Sequence, residues 1–535
     1  MKSRLPTDAL LLAGVCGFLF FYQLGIFGLV GADEPRYAQV AREMLARRDW
    51  ITPVLGGKVW LEKPILYYWQ AMLAYVVLGV RDYAARVPSA FDATLMVVAS
   101  YIFLRRLRRG SELDGALIIA SLAGTIGFAR AAATDMPLTS MLAISMMAWY
   151  GWRESGERRY LAIFYIFVGL ATLAKGPVAP FLAGAIILVF AAVVRDWRLP
   201  LRVLWWPGLL LFLAVTVPWY VAVQVRNPEF FRVFILEHNL ARFSTDLYRH
   251  TQPFWYFIPV ALLGLIPWTV LILAAVYENT RVVWAERKYG IKAEDEYNIF
   301  LLIWLFLPIV FFSISNSKLP GYILPALPAG ALLLAEYVRR RLTTDQPMPA
   351  GLAGIHALVA AGILVPALLV GYIFGQDRSQ SLRNGPALAV VWLLFAAGIT
   401  FVLARRHGMR YLHFVTLVPV VLAVSALLRI GGPVANVNLS QRPVANDLLQ
   451  LTDQSLPIAV LGVPRDKEYG LAFYRNMPVS RYERGEVPAI EHLLVVPENS
   501  QGDMARYIGD RPVLYLGHFL PQHIEYYRVA PRIGH

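Results

Sequence analysis

The stretch ALLLAGVCGFLFFYQLGIFGLVGADEPRY, residues 9–37, decides the fold. Its first part belongs to an apolar run from about residue 8 to 30, long enough to cross a bilayer. Lys2 and Arg4 precede the run and Val30-Gly31-Ala32 ends it, as in a cleavable export signal. The run exceeds the usual length of such a signal's apolar core, so it is expected to stay as the first membrane span. Directly after it come Asp33, Glu34 and Arg36, charges that a span has no need of at its exit.

Composition extends that reading to the whole chain. Of 535 residues, 57% are hydrophobic and only 16% charged, where a soluble domain carries about a quarter charged residues. Thirteen segments read as spans: 8–30, 84–104, 113–131, 136–152, 160–175, 177–194, 203–225, 254–277, 297–315, 320–338, 350–374, 386–404 and 411–430. The net charge of +14 does not call for nucleic acid. Its lysines and arginines gather in alternate connections, RRLRR (105–109), RESGERR (153–159), RDWRLPLR (195–202), 278–296, RRRL (339–342) and RRHGMR (405–410), as cytoplasmic loops do. With the N-terminus inside, an odd number of spans puts the C-terminus outside. Cys16, the single cysteine, precludes an intramolecular disulfide.

The expected organisation is a membrane domain over 1–430 and a small soluble α/β domain over 431–535 on the outer face. The tail alternates β-like runs, PIAVLGV, HLLVVPE and PVLYLGH, with helix-compatible stretches. Two outer loops, 31–83 and 226–253, are too long for simple turns, and long loops are where function is usually housed.

In the first loop, Tyr37, Val40, Ala41, Met44 and Leu45 recur at helical spacing after Pro35, which predicts a helix lying on the membrane surface. ITPVLGGKVWLEKP follows with a Gly-Gly turn, then a second helix over ILYYWQAMLAYVVLG, with Glu62 and Lys63 at its start. Asp33 or Glu34 serves either as a helix cap or in chemistry. Lys63 either snorkels to the interface or, at a helix N-terminus, holds phosphate. Arg36, Arg42, Arg47, Arg48, Lys58 and Lys63 all lie on the side where topology asks for no positive charge, so an anionic lipid headgroup is the economical explanation. Asp135 either caps the helix after it or acts with Arg130 as ion-pair partner. Lys175 and Lys318 either snorkel or join the site. In the second loop, Arg226, Arg232, Arg242 and Arg249 with Glu229, Glu237 and Asp246 fit a surface helix or a wall of a substrate cavity.

The order D-E-x-R-Y-A at 33–38, E-K-P-x-L-Y-Y-W at 62–69, ATDMP at 133–137, LAKGP at 173–177, LEHNLARF at 236–243 and SNSKLPGYILPALPA at 315–329 resembles the C-type glycosyltransferases related to protein O-mannosyltransferases. Within them it is most similar to the bacterial transferases that place aminoarabinose on lipid A. The resemblance implies an α-helical polytopic protein of the GT-C type in a bacterial inner membrane. It further implies that the site and C-terminal domain are periplasmic and that the reaction is an inverting transfer from a polyprenyl-phosphate sugar. By motif, Asp33 and Asp135 are the implied catalytic acids. Glu34, Arg36, Tyr37, Lys58, Glu62, Lys63, Tyr67, Arg242, Lys318 and Tyr322 are the substrate-binding candidates. The family's optional divalent metal, zinc or similar, would fall to Glu62 and His238. The expected partners are the lipid-linked donor, lipid A or another periplasmic acceptor and the bilayer, with the protein a monomer.

The chemistry can also be argued from the residues. Cleaving a sugar-phosphate bond leaves a polyprenyl phosphate with more localised negative charge, so nearby cations such as Lys63 favour the transition state over the ground state. A hydroxyl acceptor needs a general base, for which Asp33 is available. A phosphate acceptor is already ionised and leaves Asp33 to orient the donor or bind an amino group on its sugar. Related enzymes use hexosamine, galacturonate or mannose with core sugar or protein as acceptor, and no short motif here fixes either. A flippase would require midplane charges and usually internal repeats, and neither is present in the sequence. A purely structural subunit leaves the outer Asp-Glu and Glu-Lys pairs without purpose.

Overall fold

The computed structural model describes residues 5–241, 252–286, 292, 295–344, 347–366, 378–451 and 455–532. The side chains of 238–241, 286 and 378–388 lie outside that description. Helix lies in each of the thirteen apolar segments. Among the described residues, five helices are alone long and apolar enough to cross a bilayer: Asp82–Leu107, Trp206–Arg226, Glu296–Ile314, Pro320–Thr343 and Gly408–Leu439. Two bent pairs raise that number to seven. The chain is a multi-pass membrane protein.

Residues 5–175 build eight helices in order: α1 (Leu5–Cys16, continued by a π turn to Phe21), α2 (Asp33–Arg47), α3 (Leu66–Leu78), α4 (Asp82–Leu107), α5 (Glu112–Ser121), α6 (Ala123–Ala129), α7 (Asp135–Ser155) and α8 (Arg158–Lys175). Where the sequence suggested one straight span over 113–131, α5 and α6 bend by 63° at Leu122. The segment 254–277 is likewise no straight span, because Phe254–Gly264 and the helix from Thr269 turn through 114°. Pro267 in that second break has no N–H to donate. The two breaks face each other, and each supplies what the other lacks. Ala123 N–H donates to the Ile266 carbonyl at 2.8 Å, and Trp268 Nε1 donates to Ser121 Oγ at 2.8 Å. Backbone groups freed inside a membrane protein persist only where protein satisfies them in this way.

The tail forms the expected α/β domain. Its sheet is ordered β4-β3-β5-β7-β6, with β3 (Ile458–Val460), β4 (Val479–Arg481), β5 (His492–Pro497), β6 (Val513–Phe519) and β7 (Ile524–Val529). β3 is parallel to β4 and β5, while β7 is antiparallel to β5 and β6. Both faces of β5 are covered. Leu493 and Val495 join Val444, Leu448 and Leu471 from the helices Arg442–Leu451 and Arg465–Arg475. Leu494 and Val496 face the other way, towards Met504 and Ile508 of the helix Gln501–Ile508. A strand buried on both faces reads as one continuous apolar run, which is why HLLVVP stands out in the sequence. The helical run that ends the membrane domain continues to Leu439, directly before this domain.

The helix predicted after Pro35 forms as α2, Asp33–Arg47. α2 packs between α3 and the outer-domain helix Arg465–Arg475, and Glu34 and Gln39 are buried along with its apolar stripe. Gln39 Nε2 donates to Glu43 at 2.9 Å. Glu43 also accepts the amides of Gly56 and Gly57 at 2.8 and 3.0 Å. These two glycines, at φ +59° and +76°, form the tip of a short hairpin between β1 (Val54–Leu55) and β2 (Lys58–Val59). Two consecutive positive φ angles are the turn that two-residue hairpins favour and that glycine enters without strain.

Candidate active site

The exit of the first span, α2, α4 and the α6–α7 turn meet around one buried ion pair. Glu34 Oε2 and Arg86 Nη2 are 2.7 Å apart, and Arg86 is fully buried. Arg86 also donates to the carbonyls of Leu24, Phe27 and Gly28 at 2.8–2.9 Å. Glu34 accepts Val30 N–H at 2.8 Å and Ala132 N–H at 2.7 Å. The pair therefore ties the residue beside Asp33 to the turn that leads into Asp135. Both carboxylate oxygens of Glu34, a substrate-binding candidate from sequence, accept hydrogen bonds from within the protein. Arg86 had no signal in the sequence because α4 reads as an ordinary apolar span around it.

Asp33 occupies the first turn of α2, and neither it nor Glu34 is the helix cap, which falls at Ala32 without a side-chain bond. The Asp33 side chain is half exposed and pairs with Arg36. Arg36 is largely buried, 3.9 Å from Glu62, and its guanidinium lies 5.1, 5.2 and 5.7 Å from the rings of Tyr37, Trp60 and Tyr469. Burial opposes its charge, but Tyr37, Asp33, Glu62 and Tyr469 outweigh that and raise its pKa. Arg36 is a fixed cation. Neither Trp60 nor Tyr469 was a candidate from sequence, since an aromatic in a loop and another 400 residues later carry no pattern linking them.

A second cluster surrounds Asp135. Its carboxylate accepts from Lys175 Nζ at 2.5 Å, and that ammonium lies 4.9 Å from the Tyr322 ring centroid. The partner expected from sequence was Arg130. Arg130 instead donates to the carbonyls of Leu19, Tyr22 and Gln23 at 3.0–3.2 Å, which close the π turn ending the first span. Lys175, at the C-terminal end of α8, reaches Asp135 because both helix ends meet here. Gly321 packs so tightly against Asp135 and Phe128 that any Cβ there would collide with the Asp135 carboxylate.

Tyr37 stands between the clusters. Burial raises its phenol well above the ordinary value, with Asp33, Tyr68 and Asp135 pushing the same way against Arg36. It is thus a protonated hydroxyl within electrostatic reach of both acids. Tyr67 is packed against it and donates to the Ala85 carbonyl at 2.8 Å. Lys318 is buried and donates to the Ser315 carbonyl at 2.5 Å. Lys58 is exposed, 3.7 Å from Glu486 of the outer domain. Lys63 lies ahead of α3, which begins at Leu66, and so not in its first turn. In the second loop, Arg226 pairs with Asp49 at 2.9 Å and Arg232 with Glu229 and Glu237. Arg242, Arg249 and Asp246 lie outside the described residues, as does the His238 side chain. Glu62 faces a guanidinium, and no group of three His, Cys, Asp or Glu gathers among the described residues. Of the two residues expected to hold a metal, the structure describes the side chain of Glu62, beside Arg36, while that of His238 lies outside the described residues.

Residues 10–234 match the family model for dolichyl-phosphate-mannose-protein mannosyltransferase. An undecaprenyl phosphate-alpha-4-amino-4-deoxy-L-arabinose arabinosyl transferase of Aeromonas salmonicida is 31% identical over 460 residues, 83% of this chain and 81% of that protein. The chain belongs to this arabinosyl transferase family. It is a glycosyltransferase. The Pseudomonas aeruginosa transferase of the same name is 34% identical over 352 residues, and the match spans 64% of this chain and 61% of that one. The fold is that of ArnT from Cupriavidus metallidurans bound to undecaprenyl phosphate, at a TM-score of 0.78, 21% identity and 97% coverage of both chains. In this arabinosyl transferase relative Asp33, Arg36 and Asp135 lie around Tyr37.

Proposed function

We propose that this protein transfers 4-amino-4-deoxy-L-arabinose from undecaprenyl phosphate to a phosphate of lipid A, at the periplasmic face of a bacterial inner membrane. The reading is carried by the convergence of Asp33 and Asp135 on Tyr37, each acid paired with a buried cation. The relatives' names supply the sugar and the carrier, and the basic alternate loops supply the orientation. Arg36 and Lys175 are fixed beside the acids, so they need no reorganisation as negative charge gathers on the departing carrier phosphate. A lipid A phosphate is already ionised and attacks without a base. Asp33, half exposed, is then free to bind the sugar's ammonium, and Tyr37 to donate to an oxygen.

The test is mass spectrometry of lipid A from a deletion strain carrying wild type or Asp33→Asn. Wild type adds the mass of one aminoarabinose per modified phosphate. Asp33→Asn, normally folded, transfers roughly 10- to 150-fold more slowly, the worth of a hydrogen bond to a charged group. Another added sugar mass names another donor. Unmodified lipid A with wild type rules out this acceptor and moves the search to core sugars and exported proteins. Unchanged turnover in the variant would suit a transporter and remove Asp33 from the site.

A further inference from the structure

The far end of the membrane domain carries two basins that the transfer reaction does not use. α4 runs from Asp82, which the outer-domain residue Arg442 holds at 2.7 Å, to Leu107. Its 26 residues span about 39 Å at the rise of an α-helix. Arg105, Arg106, Arg108 and Arg109 therefore lie a membrane's thickness from the Asp33 site.

The larger basin, about 820 Å³, sets four acids, Glu154, Asp295, Glu296 and Glu336, among its basic side chains. Arg108 is 2.6 Å from Glu154, Arg153 is 3.0 Å from Glu296, and Arg339 and Arg340 share Glu336 at 2.7 and 3.0 Å. Such a network holds helix ends together and leaves little field for a ligand. The neighbouring groove, about 590 Å³, differs in kind. It lies between α1, the last turn of α4 and the start of α8, and its lining includes Arg105, Arg106, Arg109 and Arg159 against a single acid, Glu157. Arg159 takes Glu157. Arg105 donates to the Tyr101 hydroxyl at 3.0 Å, which itself donates to the buried Asp8 at 2.7 Å. Arg109 is exposed and has no carboxylate within ion-pair distance among the described residues. The groove's wall is apolar, with Leu5 45% and Ile102 52% exposed, side chains that only hydrocarbon would cover favourably.

We propose that this groove binds the phosphate of an anionic glycerophospholipid of the leaflet opposite the Asp33 site. Arg109, exposed at the mouth beside Arg105, suits a phosphate held by a planar fork of donors. The apolar wall suits acyl chains, which is why the occupant is a lipid and not a soluble phosphate. Basic pockets between spans on the cytoplasmic side recognise lipid headgroups by this combination.

The experiment measures lipid retention by native mass spectrometry on the full-length protein in neutral detergent. The probes are dioleoyl phosphatidylglycerol, dioleoyl phosphatidylcholine and inorganic phosphate. Phosphatidylglycerol is expected to bind at least tenfold tighter than either. Arg105→Gln and Arg109→Gln are each expected to weaken it about fivefold, the worth of one basic residue at a membrane surface. Arg410→Gln, in another basic loop, leaves it unchanged. Equal retention of phosphatidylcholine, equal binding of inorganic phosphate, or full retention by Arg105→Gln and Arg109→Gln overturns the proposal. Should Arg105→Gln not fold, Arg109→Gln decides alone, since its side chain is exposed.

Discussion

Asp33 and Glu34 are neighbours in sequence and opposites in role. Successive residues on a helix point about 100° apart, and here that angle separates a half-exposed carboxylate beside Arg36 from one sealed against Arg86. A buried pair adds little net stability over an apolar replacement, but removing one partner strands the other charge. Glu34→Gln is therefore expected to destabilise the protein by about 3–5 kcal/mol, read as a lowered melting temperature in detergent, whereas Asp33→Asn melts close to wild type. From sequence the two acids could not be told apart, because the partner that distinguishes them is 52 residues away. Asp135 illustrates the same limit. Its position in an outer turn was legible, but its partner was not, since Arg130 and Lys175 are equally plausible until α8 is placed beside α7.

At the level of elements, strong periodicity was legible and weak patterning was not. The β5 run HLLVVP was legible because both its faces are buried. β4 is only Val479–Arg481 and β7 carries Glu525 and Arg528, so neither stood out. Spans were legible as apolar length, but the bends at Leu122 and Ile266 were not, because the hydrogen bonds that stabilise them come from each other. α2 was legible as a helix, but the burial of its polar residues was not, since it depends on a domain about 430 residues further on. Inside the sheet, His492 is held neutral. Nδ1 faces the Ile490 carbonyl at 2.8 Å and must donate, so Nε2 accepts from the Tyr482 hydroxyl at 2.5 Å. Burial lowers its pKa, Arg511 adding to the effect and the Ile490 bond opposing it. With the folded pKa below the unfolded one, this contribution is present above the ordinary histidine range, near 6.5, and is lost as pH falls through and below it. The outer domain is expected to melt at progressively lower temperature between about pH 7 and 5, and His492→Phe to flatten that dependence in differential scanning fluorimetry.

Across the whole molecule, the outer domain is part of the site's frame. Arg442 donates to the carbonyls of Gly25 and Ile26 at 3.1 Å and to Asp82 at 2.7 Å, and Arg42 donates to the Phe473 carbonyl at 2.5 Å. Arg442→Ala is expected to cost about 1.5–3 kcal/mol of docking, the range for a hydrogen bond to a charged group. Limited proteolysis would then release the tail faster than from wild type. An unchanged cleavage rate would show that the remaining contacts suffice.

The joint between the two ends of the chain also sets a clock. Gly28 N–H donates to Asn436 at 3.0 Å and Leu29 N–H to the Tyr474 hydroxyl at 2.6 Å, across 408 and 445 residues. At roughly 5–20 residues per second, the ribosome needs on the order of 20 to 90 seconds to make that interval. Throughout that time the segment leading into Asp33 has been made without the surface that will hold it.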